Sequence, residues 1–147
     1  MSDKFSFELI TPAGLKFQAD VYEVLLPTPQ GQIGILPDHR PLINIVSPGV
    51  ISIRHNRQHT DDQLEHMATA GGFAQIDGRR LRLLADLAER AEDIDEFKAK
   101  AALERARELQ HAAKDQVSLA DATALIEQNT ARLKVAELKK RKKTSRL

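Results

Sequence analysis

Cysteine and tryptophan are both absent from this 147-residue chain, and only 4% of its residues are aromatic. The lack of cysteine excludes disulfides, thiolate metal sites and cysteine nucleophiles, and it agrees with a reducing compartment. Because 41% of the residues are hydrophobic, the core must be built from Val, Ile, Leu and Ala. The length suffices for one ordinary domain or two small ones.

Long apolar runs are missing as well. No stretch approaches the roughly 18–20 apolar residues that are needed to span a bilayer. The first residues lack the basic segment and the continuous apolar segment of a signal peptide. We therefore expect a soluble protein that reaches a membrane only through a partner.

Positive charge is concentrated at one end, although the formal net charge of the chain is only +1. The basic tail comprises Lys139, Lys140, Arg141, Lys142 and Lys143, with Arg146 beyond it. The rest of the chain is net acidic, which disfavours a nucleic-acid-binding body. The tail itself suits a solvated helix end, since cations are favourable at a helix C-terminus. Nucleic-acid contact is a weaker alternative because the tail lacks aromatic residues for stacking.

Through about residue 87 the hydrophobic pattern has a period of two. Phe5, Phe7 and Leu9 alternate with polar residues, as in a strand with one buried face. Short apolar runs then follow one another, separated by turn signals such as the sequence at 47–49 and the Asp77-Gly78 pair. Many short strands with regular turns indicate a sandwich or flattened barrel.

The pattern changes near residue 88, since no Gly or Pro occurs from Arg79 onward and helix formers dominate. Asp93 or Asp95 can cap a first helix, and a second is predicted to begin near 118–121 with a weak capping box. The apolar stripe predicted for the first helix comprises Ile94, Phe97, Ala101 and Leu109. The stripe predicted for the second comprises Leu119, Ala122, Ile126, Leu133 and Ala136.

The sequence thus predicts an all-β N-terminal sandwich or flattened barrel over residues 1–88. An antiparallel α-helical hairpin with the basic tail is predicted over residues 89–147. Many hairpin positions are Ala, which buries little apolar area and so stabilises the contact weakly. From these residues alone, a moving hairpin and a static appendage remain equally open.

Four sequence blocks resemble, in order and spacing, those of the ATP synthase epsilon subunits (delta in mitochondria). Residues 31–42, GQIGILPDHRPL, resemble the family's G-E-hydrophobic-G-hydrophobic-hydrophobic-P-x-H-x-P-L signature. Residues 47–50 resemble its K-P-G-V, residues 70–73 its S-G-G-F, and residues 84–89 its L-A-D-x-A-E. Because four blocks occur in register and agree with the two-domain layout, the resemblance is specific.

The resemblance implies a non-catalytic central-stalk subunit of the F1 sector of an ATP synthase. Such a subunit couples proton translocation to ATP synthesis and restrains ATP hydrolysis through its C-terminal helices. The implied location is peripheral, on the cytoplasmic face of a bacterial cell membrane. The implied partners are the gamma subunit and the c ring, with the alpha and beta subunits when the helices extend. The basic tail (139–143) would then contact acidic segments of alpha and beta.

The resemblance also implies which residues meet the gamma subunit and the c ring. They are Gln32, Asp38, His39, Arg40, Pro41 and Leu42. His39 matches the position that faces gamma, and Gln32 falls where the family usually has a Glu near the ring. The change from Glu to Gln removes a charge, so only neutral hydrogen bonding remains there. Without the family, the same segment is explained as a rigid turn.

Several bacterial members of the family bind ATP through an I/L-D-x-x-R-A motif, which here corresponds to Ile94, Asp95, Lys98 and Ala99. Lysine at 98 keeps the charge but loses the planar fork of arginine. Arg105 and Arg132 match further basic positions, whereas Gln128 replaces one. The resemblance thus implies no required cofactor and at most weak ATP binding. Without the family, Asp95 is simply a helix cap.

Nothing in the sequence favours an enzyme. His55 and His59 are four residues apart, but they lack the third ligand and the context of a catalytic zinc site. No nucleophile elbow or phosphate-binding Gly-rich loop occurs. The alternative to a stalk subunit is a stand-alone module that binds nucleotide through the hairpin or nucleic acid through the tail.

Overall fold

The structure, a computed structural model, describes residues 3–145, with side chains through Lys143. Arg146, counted above with the basic charge, lies outside the described residues. Within this part of the chain, no helix combines the length and the apolar character needed to cross a membrane.

Among residues 3–145, ten strands form two five-stranded sheets, which confirms the predicted all-β sandwich. The strands are β1 (Phe5–Thr11), β2 (Gly14–Val21), β3 (Glu23–Thr28), β4 (Gly31–Ile35), β5 (His39–Val46), β6 (Gly49–Arg54), β7 (Glu65–Thr69), β8 (Gly72–Gly78), β9 (Arg80–Ala85) and β10 (Ala88–Arg90). Sheet A has the order β2-β1-β9-β8-β5, and sheet B has the order β10-β7-β6-β3-β4. All pairings are antiparallel except that of β1 with β9.

The core lies between the two sheets and is aliphatic, as the scarcity of aromatics requires. Phe5, Phe7 and Leu9 of β1 are at most 3% exposed, which confirms the predicted inward face of that strand. They pack in one cluster with residues of both sheets, among them Ile53 of β6 and Leu83 of β9. The sandwich is therefore held by a continuous apolar interior.

Two adjacent glycines allow three segments of sheet A to approach closely. Gly71 has a φ of 100°, and a Cβ there would lie 2.8 Å from the carbonyl oxygen of Val46. A Cβ at Gly72 would lie 2.0 Å from the carbonyl oxygen of Leu84 and 2.8 Å from the Cα of Ala85. Because these nearest atoms belong to the backbone and cannot turn aside, only glycine fits at positions 71 and 72.

The predicted helical hairpin is confirmed, but its first helix buries a different face from the one expected. Helix α1 (Glu96–Ala112) is capped by Asp95, whose carboxylate accepts a hydrogen bond from the backbone N–H of Lys98 at 3.1 Å. Phe97 is 83% exposed, so the predicted α1 stripe is wrong. The buried residues are Ala99, Leu103 and Ala106. Small side chains are buried because they let a second helix approach closely.

Helix α2 (Gln116–Ser145) starts two residues before the predicted Ser118. Asp115 supplies the cap, since its carboxylate accepts the Ser118 N–H at 2.7 Å. The predicted α2 stripe is largely right: Ala122 is buried and Ile126 half-buried, although Leu119 is 43% exposed.

A second buried side of α2, which was not predicted from the sequence, holds the hairpin on sheet B. Ala131 and Val135 pack in a small cluster with Ala68 of β7, and Val50 and Ile94 lie against it. On a helix these two positions point away from Ala122 and Ile126. Helix α2 therefore lies between the outer side of sheet B and helix α1, which packs mainly on α2.

Candidate partner-docking surface

The segment predicted to meet the partners runs along two sheet edges. Gln32 is exposed on β4, the edge strand of sheet B, and residues 39–42 begin β5, the edge strand of sheet A. Only the connection at 36–38 separates these strands. Gln32 and the Asp38–Leu42 segment therefore lie at the same side of the sandwich.

The connection holds Asp38 in an unusual conformation. Asp38 has a φ of 64°, the only positive φ of a non-glycine residue among residues 3–145. Its carboxylate lies 2.9 Å from Nε of Arg79, which lies in the turn between β8 and β9. An aspartate tolerates this backbone region better than most residues. The ion pair therefore anchors the predicted docking segment to the neighbouring turn.

The start of β5 presents its residues on an irregular edge. His39 Nδ1 donates a hydrogen bond to the carbonyl oxygen of Arg40 at 2.8 Å. The register with β8 shifts between His39 and Leu42, where Pro41 lacks an N–H for the ladder. Arg40, Pro41 and Leu42 are exposed. All three predicted residues are therefore accessible to a partner.

An exposed apolar patch lies on the outer face of sheet A, beside this edge. The patch comprises Ile43 (72% exposed), Ile45 (55%), Phe73 (58%) and Leu84 (46%). Ile45 pairs with Phe73, and Phe73 pairs with Leu84, so these three form a row across β5, β8 and β9. A contiguous apolar surface of this kind marks an interaction site, whereas scattered single residues do not.

The row continues toward the opposite edge of sheet A and has a polar neighbour. Leu84 pairs with Ile10 of β1, and Ile10 pairs with Leu15 of β2, which is 58% exposed. In the adjacent row, Arg82 Nε lies 3.4 Å from the Glu8 carboxylate. This pairing neutralises the charge beside the patch, as suits a surface that becomes buried.

The apolar patch was not predicted from the sequence, although the sequence of β5 carries a signal for it. Residues 42–46 read Leu-Ile-Asn-Ile-Val, which places apolar side chains on both faces of one strand. Such a strand is typical of a sheet that is covered on both sides. Because helix α2 covers sheet B, the outer face of sheet A is left for a partner.

The residues of the expected nucleotide motif have structural roles in this conformation. Asp95 caps α1, Ala99 is fully buried, and Ile94 packs against the small cluster under α2. Lys98 is exposed. The alternative of a helix cap for Asp95 is therefore realised, with its carboxylate bound to the backbone.

The two further basic positions of that motif differ in their surroundings. Arg105 is exposed on α1. Arg132 of α2 meets Glu89 of β10, with Nε 2.9 Å and Nη2 3.3 Å from the two carboxylate oxygens. Both side chains are only 16% exposed. Only Nη2 donates a hydrogen bond to Glu89, while Nε contributes proximity of charge without hydrogen-bond geometry. This ion pair joins the hairpin to the sandwich and occupies the guanidinium that a phosphate would need.

The basic tail (139–143) is part of α2, and several of its residues contact the protein itself. Lys140 Nζ lies 2.6 Å from Glu96 at the start of α1, and Arg141 lies 2.5 Å from Glu137. Lys142 Nζ donates to the carbonyl oxygen of Gln63 at 3.4 Å. The contact of Lys140 holds the end of α2 on α1, and that of Lys142 holds it on the sandwich. The tail is therefore more than a solvated helix end.

Comparison with known proteins agrees with the architecture and with the sequence blocks. Residues 4–91 match the family described as ATP synthase, Delta/Epsilon chain, beta-sandwich domain. The chain is 40% identical over 108 residues to the ATP synthase epsilon chain of Carboxydothermus hydrogenoformans, covering 74% of this chain and 77% of that one. It is 37% identical over 131 residues to that of Moorella thermoacetica, covering 89% and 95%.

Among solved structures, the chain resembles one in the Euglena gracilis mitochondrial ATP synthase assembly of OSCP, F1 and c-ring. The TM-score is 0.74 at 20% identity, covering 92% of this chain and 82% of that one. This likeness concerns the fold. Together with the sequence matches, it confirms the resemblance and shows that the chain belongs to the ATP synthase delta/epsilon family.

Proposed function

We propose that this chain is a non-catalytic subunit of the ATP synthase central stalk, attached to the gamma subunit through sheet A. The supporting observation is the exposed apolar patch (Ile43, Ile45, Phe73, Leu84) beside the edge strand β5. Burying a large apolar side chain contributes about 1.5–3 kcal/mol. Four of them together suit an interface of a stable complex.

The edge residues add specificity to this attachment. Arg40 and the Asp38–Arg79 pair offer charged groups at the rim, and Gln32 on β4 offers a neutral amide toward the c ring. Rim charges mainly set orientation and association rate. The direct test is binding of the full chain to the gamma subunit of the same ATP synthase. Absence of binding at micromolar concentrations contradicts the proposal.

We infer that the helical hairpin regulates ATP hydrolysis by leaving the sandwich and reaching toward the alpha and beta subunits. The supporting observation is the small apolar area under α2, where Ala68, Ala131 and Val135 form the cluster. Two polar contacts supplement it, Arg132–Glu89 and Lys142 with the carbonyl oxygen of Gln63. Because this interface buries little apolar area, α2 can exchange its contact with the sandwich for a contact with another subunit at a small cost in free energy.

Locking the hairpin tests the regulatory role. Glu96 and Lys140 join the start of α1 to the end of α2, with Oε2 and Nζ 2.6 Å apart. Because the chain has no cysteine, Glu96→Cys with Lys140→Cys provides a unique pair for a short bifunctional thiol reagent. We expect cross-linking to raise ATP hydrolysis by the assembled enzyme about fivefold or more, since extension is prevented.

The single variants treated with the same reagent are the controls for this experiment. They carry the same chemical modification but leave the helices free to separate. Equal hydrolysis rates for linked and singly modified enzymes contradict an inhibitory hairpin. If cross-linking instead abolishes binding to the gamma subunit, the hairpin takes part in attaching the chain to gamma.

We further propose that ATP binding at the hairpin is weak, because Arg132 is engaged by Glu89 and Lys98 lacks a planar fork. Lys98→Arg restores bidentate phosphate recognition, so we expect a roughly tenfold gain in ATP affinity. ATP titration of the full chain, followed by NMR, measures this effect. Lys100→Arg, at an exposed position on the same helix, is the matched control. Equal affinities for both variants contradict a site at residue 98.

A further inference from the structure

A histidine lies beneath helix α2, at the point where this helix meets sheet B. His66 belongs to β7, and its neighbour Met67 points into the core, so His66 faces the helix side like Ala68. Its Nδ1 is hydrogen-bonded to Oγ of Ser52 at 2.8 Å, and Ser52 is only 7% exposed. The ring is therefore held in place from the sandwich side.

Basic residues of helix α2 act on this ring. Lys134 and Lys142 of the helix both act electrostatically on His66, and Glu65, its neighbour on β7, opposes them. Glu65 is itself bound elsewhere, since its oxygens lie 2.7 Å from His55 Nε2 and 3.0 Å from Arg90 Nη2. Its carboxylate is therefore already engaged by Arg90 and by the ring of His55.

A cavity of about 550 Å³ opens beside His66 between the end of α2 and the sandwich. Its sandwich side carries the carboxylates Asp61, Asp62, Glu65 and Glu92. Its helix side carries the cations Lys139, Arg141, Lys142 and Lys143. The lining thus carries four carboxylates and four cations, so protonation of His66 adds a further positive charge beside the helix side.

Burial lowers the pKa of His66, and Lys142 and Lys134 lower it further against the opposing effect of Glu65. When α2 leaves, the ring is hydrated and the lysines are distant, so its pKa returns toward the usual value of about 6.5. The docked state therefore binds fewer protons than the released state. Neutral His66 therefore stabilises docking above about pH 6.5. This contribution is lost as the pH falls through the lower pKa that His66 has in the docked state.

We propose that His66 makes the hairpin an acid-sensitive latch: protonation of the ring beneath Lys134 and Lys142 releases α2 from the sandwich. Release leaves the sandwich folded, because its core lies between the two sheets and does not include α2. The consequence for ATP hydrolysis rests on the regulatory role proposed above. The docking equilibrium does not, and it is measured on the isolated full chain.

The latch is tested by thiol protection in the cysteine-free chain. Val135→Cys places a reporter that is fully buried under docked α2, and Thr130→Cys places an exposed reference on the same helix. The ratio of their reaction rates with a dithiodipyridine cancels the intrinsic pH dependence of the thiol. Between pH 7.5 and 5.5 we expect this protection to fall by at least about threefold.

Variants at the histidines identify the group that titrates. His66→Gln keeps a hydrogen-bonding partner for Ser52 but cannot titrate, so its protection should be independent of pH. His111→Gln, at an exposed position on α1, is the matched control and should retain the wild-type fall. Constant protection in the wild type, or an equal fall in His66→Gln, overturns the proposal.

A reporter in the sandwich core separates hairpin release from general unfolding. Val21→Cys repeats the same substitution at a fully buried core position of β2. We expect its protection to remain unchanged over this pH range. A fall parallel to that of Val135→Cys means that the whole chain opens, and it likewise overturns the latch. If the latch holds but hydrolysis does not respond to cross-linking, only the proposed regulatory role fails.

Discussion

Phe73→Asp is expected to weaken binding to the gamma subunit at least about a hundredfold, which corresponds to about 2.7 kcal/mol. Phe73 lies at the centre of the apolar row, flanked by Ile45 on β5 and Leu84 on β9. Removing the ring takes away an aromatic anchor, and the new carboxylate must be desolvated when the complex forms. Binding of the purified full chain, measured by calorimetry, gives the change directly.

The fold should tolerate this substitution, because Phe73 is 58% exposed and makes no part of the buried core. A charged residue at an exposed strand position costs about 1 kcal/mol or less in strand preference. Phe97→Asp is the matched control, since Phe97 is 83% exposed on α1, remote from sheet A. Equal affinity of the two variants for gamma contradicts docking through the patch.

The strands could be predicted because each carries its own signal. In β1 the alternation of Phe5, Phe7 and Leu9 with polar residues fixes the buried face locally. Strand order leaves no such local signal. The parallel pairing of β1 with β9 joins residues 74 positions apart, such as Ser6 and Arg80. The alignment of the patch across β5, β8 and β9 likewise depends on strand pairing, so it could be seen only in the structure.

The helix faces show how choosing the largest apolar side chains leads to error. Phe97 and Leu109 suggested one face of α1, yet the structure buries Ala99, Leu103 and Ala106. Close helix approach selects small residues, whereas periodicity weighted by size selects large ones. For α2 the periodicity found one of two buried sides, because a helix between two neighbours has no single stripe.

The predicted docking segment has a different local structure from the rigid turn that its prolines suggested. Pro37 and Pro41 suggested a rigid turn around residues 38–40, whereas residues 39–42 begin an edge strand with an irregular register. The Asp38–Arg79 ion pair could not be predicted, because its partners lie far apart in the chain. Whether these residues contact gamma or the c ring stays a prediction.

The two halves of the molecule differ in how they are stabilised, and this difference fits their proposed roles. The sandwich has one large apolar cluster between its sheets, while the hairpin contacts it through a small cluster and a few ion pairs. Local opening is expected where apolar contacts are few. Substitutions in the sandwich should therefore change stability, and substitutions under α2 should change docking.

Gly72→Ala provides the strongest test of the sandwich, with an expected destabilisation of about 4 kcal/mol or more. The added Cβ would lie 2.0 Å from the carbonyl oxygen of Leu84 and 2.8 Å from the Cα of Ala85. Both are backbone atoms of the paired strand β9, so no side chain can turn aside to make room. Chemical denaturation of the full chain gives the free energy of unfolding.

Gly14→Ala separates the steric clash from backbone strain. Gly14 also has an unfavourable φ for other residues, 115°, but a Cβ there meets nothing within 4 Å. Its substitution should therefore cost only the conformational strain, about 1–2 kcal/mol. Because Phe73 directly follows Gly72, strand separation at this point would also displace the centre of the apolar patch. Similar stabilities for the two variants would show that β8 and β9 can move apart, and the patch would then lack the rigid base that docking requires.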